Sequence, residues 1–170
     1  VRVTIKQGND HSPNCDKDSY QRTILESTSK GTTIVTVSAK DDDCGDQENL
    51  LFKIKSGNTS TPFFAINSAS GVITLLAPVQ DPKDSSKKIE LDAETTNKYV
   101  LVVEVTDKGK PSERTSFVSV QIDVAYTNDN APIFESQTYT KQIDETIQAK
   151  KENLKLRAPD KDPGIHGQTK

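Results

Sequence analysis

Apolar residues recur at every second position in several separate runs, and this alternation restricts the chain more than any other feature. Thr33-Ile34-Val35-Thr36-Val37 alternates, and Phe117-Val118-Ser119-Val120-Gln121-Ile122-Asp123-Val124 sustains the pattern over two more turns of the pleat. A period of two places Val118, Val120, Ile122 and Val124 on one face of a strand. The run from Tyr99 to Val105 keeps Tyr99, Leu101, Val103 and Val105 in phase, and Val1-Arg2-Val3-Thr4-Ile5 alternates as well. Leu50–Ile54, Phe63–Ile66 and Val72–Leu76 are shorter strand candidates. Gly57-Asn58, Ser70-Gly71 and Lys108-Gly109-Lys110-Pro111 punctuate them as turns. No helix-period segment of useful length competes. Many short strands with regular turns predict an all-β sandwich.

Composition narrows the class further. The apolar share is 32%, and the glycines do not lift it to the ~45–50% usual for globular domains. A thick core throughout is therefore excluded, and a thin layered domain with extra support is expected. A net charge of −3 is too small to drive charge-rich disorder. No basic excess is present to hold nucleic acid. No stretch approaches the ~20 apolar residues of a membrane span. With no Met, no signal-like segment and a start in mid-strand at Val1, the chain reads as an internal piece of something larger. The two cysteines lack zinc spacing. The sequon Asn58-Thr59-Ser60 is compatible with secretion, and an extracellular setting is favoured. The two histidines, His11 and His166, lie in no nucleophile–base arrangement. A hydrolase built on a β-sandwich therefore has little support, and no small-molecule substrate is expected.

The punctuation repeats. Asn9-Asp10-His11-Ser12-Pro13 follows one strand and Asn128-Asp129-Asn130-Ala131-Pro132 follows another. Each is followed by a Tyr (Tyr20, Tyr139), then an acid (Glu26, Glu145), then an acidic cluster (Asp41-Asp42-Asp43, Asp160-Lys161-Asp162). The period is that of an immunoglobulin-sized unit, on the order of 100 residues. Residues 14–127 make one complete unit, residues 1–13 the end of a preceding one with its linker, 128–132 a second linker, and 133–170 the start of the next.

Asn128-Asp129-Asn130 thus sits between two repeats, where clustered oxygens suit a hard cation. Calcium takes 6–8 oxygen ligands. Asp92 and Glu94, two apart in an extended stretch, point the same way and aim both carboxylates at one place. Asp160 and Asp162 have the same spacing. Carboxylates converging without a cation would repel strongly.

The ordered set Asn128-Asp129-Asn130-Ala131-Pro132-Ile133-Phe134, Leu91-Asp92-Ala93-Glu94-Thr95, Ala39-Lys40-Asp41-Asp42-Asp43 and Val105-Thr106-Asp107-Lys108-Gly109 resembles cadherin extracellular repeats. Gly71-Val72-Ile73 after Phe64-Ala65-Ile66 also fits, and the resemblance spans nearly the whole chain. It implies a seven-strand Greek-key sandwich with up to three calcium ions at each junction. By resemblance, the far junction takes Glu26, Asp92 and Glu94 from residues 14–127. Asn128, Asp129 and the carbonyl of Asn130 come from the linker, and Asp160 and Asp162 from the next repeat. The near junction takes Asn9, Asp10 and the carbonyl of His11 with Asp41, Asp43 and Asp107. The later acid of the next repeat falls beyond Lys170. The family's linker opens with Asp two residues before its first Asn, where this chain has Gln7 and Tyr126; Tyr126 is a poor ligand, so weaker binding and a more flexible second junction are expected. His11 replaces the usual Asn, whose backbone oxygen is what the family uses. The resemblance also places Cys15 and Cys44 at one pole and implies a disulfide there, worth up to ~3–4 kcal/mol in the chain-entropy model.

The functional expectation is a calcium-dependent cell-adhesion segment of a single-pass cell-surface ectodomain, anchored by a span outside this chain. Its partners would be other cadherin ectodomains, like or unlike. An alternative is an extracellular binding module with a calcium-poor, bent second junction used for docking. The run Gln80–Lys88 reads as a solvated surface insertion. With no Trp in the chain, adhesion by tryptophan exchange cannot occur within it.

Overall fold

A computed structural model describes residues 1–4, 8–43, 50–57, 62–142 and 156–162. The chain divides into two compact units, Val1–Ala125 and Tyr126–Lys170.

In the first unit four strands form one sheet in the order β2-β11-β10-β5: β2 is Ser19–Leu25, β5 Leu51–Ser56, β10 Lys98–Thr106 and β11 Thr115–Ala125. The β2–β11 pair is parallel and the others are antiparallel. A second sheet has the order β3-β7-β6, with β3 Thr33–Thr36, β6 Phe64–Ile66 and β7 Val72–Leu75. Two short pairs complete the unit: β1 (Asn14–Cys15) with β4 (Ala39–Lys40), and β8 (Val79–Gln80) with β9 (Lys88–Ile89). Among the described residues there is no helix. The chain changes sheet between β2 and β3, between β3 and β5, between β5 and β6, and between β7 and β10, which gives the seven principal strands the expected Greek-key course.

The alternation explains the core. Leu101, Val103, Val105, Val120 and Ile122 are fully buried, and Val118 and Val124 nearly so. Ile73 and Leu75 meet them from the second sheet. Tyr99 closes one end, edge-on to Phe63 at 5.8 Å and Phe64 at 5.3 Å between ring centroids. The buried Tyr20 ties β2 to the turn after β3, its hydroxyl accepting from the Ser38 amide at 3.1 Å. Two turns need glycine. Gly57 and Gly71 have φ of 88° and 67°, and a Cβ on either would overlap a carbonyl oxygen, of Val100 and Val37 respectively.

Two expectations change. Val1–Thr4 form no strand, and Val1 and Val3 are fully exposed. Their alternation is real, but among the described residues no strand lies beside them to complete the backbone pairing; Ile5 lies outside the described residues. The run Gln80–Lys88 is an ordered hairpin rather than a plain loop. The Gln80 side chain donates to the Ser85 and Lys87 carbonyls, while Asp81 and Asp84 accept from the Lys83 and Ser86 amides.

In the second unit the described residues hold no strand, but Ile133 and Glu135 donate to the Pro159 and Arg157 carbonyls at 3.0 and 3.1 Å. That pairing brings the stretch after the second linker alongside Asp160.

Candidate metal centre

β10 is nine residues long, about 30 Å at the usual rise, and the sequence-predicted acids of the first unit lie at its two ends. Asp107 follows β10 directly. The β1–β4 pairing sets the loop Asp41–Asp43 beside Asn9–His11 at the same pole. Glu26 follows β2, and Leu91–Glu94 leads towards β10, at the opposite pole.

The near pole is a buried acid cluster. Asp41, Asp43 and Asp107 are 1%, 2% and 0% exposed, and Asn9 is 8% exposed. Asp107 Oδ1 accepts from Asn9 Nδ2 at 3.0 Å and from the Gly109 and Arg114 amides at 3.0 and 2.9 Å. Asp41 Oδ1 accepts from the Asp43 amide at 2.9 Å. Asp43 Oδ2 accepts from the His11 amide at 3.0 Å, and its Oδ1 lies 3.0 Å from His11 Nδ1. That ring contact holds the Asp43 carboxyl well below the usual carboxylate range and, with Asp10 nearby, raises the His11 pKa.

Three oxygens remain: Asn9 Oδ1, Asp41 Oδ2 and Asp107 Oδ2 are buried with no hydrogen-bond partner among the described residues. Nor does a lysine or arginine there pair with Asp41, Asp43 or Asp107. Native interiors rarely leave buried carboxylate oxygens unmatched, and unpaired buried charge is strongly unfavourable. The donor set is all oxygen, from carboxylates and an amide, which suits a hard cation of the calcium type.

At the far pole, Glu26 is 8% exposed and its Oε2 accepts from the Ala93 amide at 2.8 Å. One carboxylate oxygen of Glu26 and one of Glu94 lie within 4.8 Å of each other. Asp92 behaves differently from the extended-strand expectation. Residues 93–95 form a turn, and both Asp92 oxygens are taken by Thr95, from its amide at 2.9 Å and its hydroxyl at 2.8 Å. Those bonds lower the Asp92 pKa.

The second unit repeats the near-pole pattern atom for atom. The Asp162 amide donates to Asp160 Oδ1 at 2.9 Å, as Asp43 does to Asp41. The Asn130 amide donates to Asp162 Oδ2 at 3.2 Å, as His11 does to Asp43, and both contacts span 32 positions. Asn130 Nδ2 meets Asp162 Oδ1 at 2.8 Å where His11 presents Nδ1. Asp162 is buried, and Asp129 accepts from Asn130 Nδ2 at 2.8 Å. No hydrogen bond of the Asn128 side chain enters this pattern.

Sequence reasoning missed the residues that hold Asn9. Its side chain donates to the Ser112 carbonyl at 2.7 Å, and Arg114 Nε donates to its backbone oxygen at 3.0 Å. Gly109 packs so closely that a Cβ there would overlap the Asn9 side chain. A glycine two residues after a candidate acid was the available signal. Cys15 carries a free, half-buried thiol whose pKa is raised by burial. Cys44, its expected disulfide partner, lies outside the described residues, as do Asn58, Gln7 and His166.

Comparison with known proteins bears on this arrangement. A family model described as Cadherin domain matches residues 20–125. Over 98% of its length the chain is 36% identical to the Caenorhabditis elegans cadherin EGF LAG seven-pass G-type receptor fmi-1, of which it covers 6%. Over 96% of its length it is 32% identical to the Drosophila melanogaster protocadherin-like wing polarity protein stan, of which it covers 5%. The chain therefore spans about a twentieth of the curated relatives it matches. Among solved structures, mouse cadherin-23 EC22-24 superposes with a TM-score of 0.78 at 28% identity, covering 96% of this chain and 48% of that one.

Proposed function

The chain belongs to the cadherin family, and from that premise we propose that it is a calcium-stiffened segment of an extracellular multi-repeat array. As a cadherin module it is an adhesion module and not an enzyme, and cadherin domains in general bind calcium. The observation that carries the finer reading is the trio of buried, unmatched oxygens on Asn9, Asp41 and Asp107. They lie on residues that the family resemblance assigns to calcium.

Asn9, Asp10, Asp41, Asp43, Asp107 and the His11 carbonyl would hold the cation at the near junction. At the far junction the holders would be Glu26, Glu94, Asn128, Asp129, Asp160, Asp162 and the Asn130 carbonyl, with Asp92 joining once it leaves Thr95. Bound there, calcium supplies the positive charge that these acids lack. Acids on either side of a linker repel when bare and leave the linker free; when neutralised, they restrict it. The repeat boundaries 14–127 and 128–132 belong to this reading, as does an extracellular location with other cadherin ectodomains as partners. The relative from C. elegans is a seven-pass receptor by name, so the single-pass anchor is not carried forward.

Tyr126, half-exposed where the family's linker has Asp, favours a second reading in which the junction after Ala125 binds calcium weakly and bends. Calorimetric calcium titration of the chain separates the two. On the first reading Asp129→Ala removes part of the heat and Tyr126→Asp tightens binding modestly. If Asp129→Ala changes nothing and Tyr126→Asp creates a new binding event, the second junction is calcium-poor. Absence of any calcium response in the parent chain would refute both.

A further inference from the structure

We propose that Asp10, His11 and Asp43 form a site for a late first-row transition metal of the zinc class. The three donors are close. His11 Nδ1 lies 3.0 Å from Asp43 Oδ1 and 3.3 Å from Asp10 Oδ1, and the three atoms are all within 4.8 Å of one another. Two ligands held about 2.0–2.2 Å from one zinc, at octahedral to tetrahedral angles, are about 3.0–3.5 Å apart. Small side-chain shifts therefore suffice to place one ion among them.

The site has a fixed floor and an open side. Asp43 is buried and held by the His11 amide, whereas His11 and Asp10 are 54% and 76% exposed. Water can complete the coordination shell from that side. A separate observation adds an anionic oxygen at this pole: Asp41, whose Oδ1 holds the Asp43 amide, keeps its buried Oδ2 without a hydrogen-bond partner among the described residues.

The nitrogen decides the class of metal. Calcium selects oxygen, and imidazole suits zinc, cobalt, nickel and copper. In the second unit the same place is filled by the amide nitrogen of Asn130 against Asp162. That nitrogen has no lone pair free for a metal, so among the described residues the second unit offers no counterpart to His11 Nδ1. The site shares Asp10 and Asp43 with the proposed calcium set, so the two cations compete for them. It does not depend on calcium binding there, because His11 Nδ1 serves only the transition metal. Binding displaces the Nδ1 proton to solvent.

The test uses cobalt(II) as a spectroscopic probe on the calcium-free chain, with zinc as competitor. One equivalent of cobalt should give a visible absorption band that zinc bleaches. His11→Asn, which restores the residue of the second unit, should weaken cobalt binding by about 10–100-fold or more, since even the loss of an outer partner has that effect. Cys15→Ser should leave the band unchanged. No band, a band unaltered in His11→Asn, or a band lost in Cys15→Ser would overturn the proposal. Calcium calorimetry on the same proteins keeps the two readings apart. Failure of cobalt with calcium heat intact removes only this site. A His11-dependent cobalt band without calcium heat upholds this site and removes only the calcium junction.

Discussion

Replacing Asp107 by Asn tests the buried acid cluster with little change of shape. Asp107 is fully buried, and its Oδ1 serves three donors on Asn9, Gly109 and Arg114. An asparagine keeps an oxygen in that position and removes one of three buried negative charges at the pole. In calcium-free buffer the variant should therefore melt no lower than the parent, because a like charge has gone from a site that disfavours it. In calcium the order should invert. At a free calcium concentration of about 100 times Kd, binding stabilises the parent by about 2.7 kcal/mol. If losing the carboxylate weakens binding about 100-fold, the same concentration equals Kd and the gain falls to about 0.4 kcal/mol. For a unit the size of Val1–Ala125, 1 kcal/mol corresponds to about 4 °C. The calcium shift in Tm should thus fall from about 10 °C to about 2 °C, read by circular dichroism melts in chelator and in calcium. Equal calcium shifts in both proteins, or a variant destabilised only without calcium, would refute the assignment of the Asp107 orphan oxygen to a cation.

Other expectations follow from the sandwich itself. Leu101→Ala, at a fully buried position between the sheets, should lower the urea-unfolding free energy by about 2–5 kcal/mol, while Val100→Ala, 47% exposed on the next position, should change it by less than about 0.5 kcal/mol. Gly31→Ala adds only the left-handed backbone penalty of about 1–2 kcal/mol, since a Cβ there meets nothing; Gly71→Ala should cost more than that in the same melts, because its Cβ also meets the Val37 carbonyl. Asp123, bonded by Gln21 across β2–β11 and by Gln121, has its pKa lowered by those bonds. A carboxylate with a depressed folded-state pKa contributes stability above its ordinary value of about 4 and loses it as pH falls through the folded value. Asp123→Asn should therefore lower Tm slightly at pH 7, where that contribution is present, and flatten the acid side of the Tm–pH curve so that variant and parent converge at the lowest pH.

The sandwich was legible where strands are long and one face is apolar. Val118, Val120, Ile122 and Val124 stand in phase in the sequence and are buried in the structure. β2 was less visible because its inward phase, Tyr20-Arg22-Ile24, is interrupted by a charge that an edge strand tolerates. β1, β4, β8 and β9 are two residues each, too short for any period to register. Val1–Ile5 shows the converse, since alternation states which face would be buried but does not supply a neighbour. In the candidate site, Asp41 and Asp43 could be paired by spacing. The turn at residues 93–95 could not be foreseen, because extended and turned backbones are both compatible with Leu91-Asp92-Ala93-Glu94-Thr95. Nor could the support of Asn9 by Ser112 and Arg114, which sequence separates by about a hundred positions.

The repeated hydrogen-bond pattern bears on what junction mutations should do. Asp41–Asp43 with His11, and Asp160–Asp162 with Asn130, are each set by backbone amides inside one unit. An amide that already holds a carboxylate fixes its direction before any cation arrives, so little ordering remains to be done on binding. On the proposed calcium reading, affinity at each pole would then be governed mainly by the number of anionic oxygens presented, and far less by loop flexibility. Substituting an acid that accepts from no backbone amide among the described residues, such as the exposed Asp10, should alter cation affinity and leave the fold unchanged. Replacing by Ala, which leaves no acceptor, one that also takes an internal amide, such as Asp41 or Asp162, should lower stability even in chelator. That contrast separates carboxylates acting only through a cation from those that also hold up the loop.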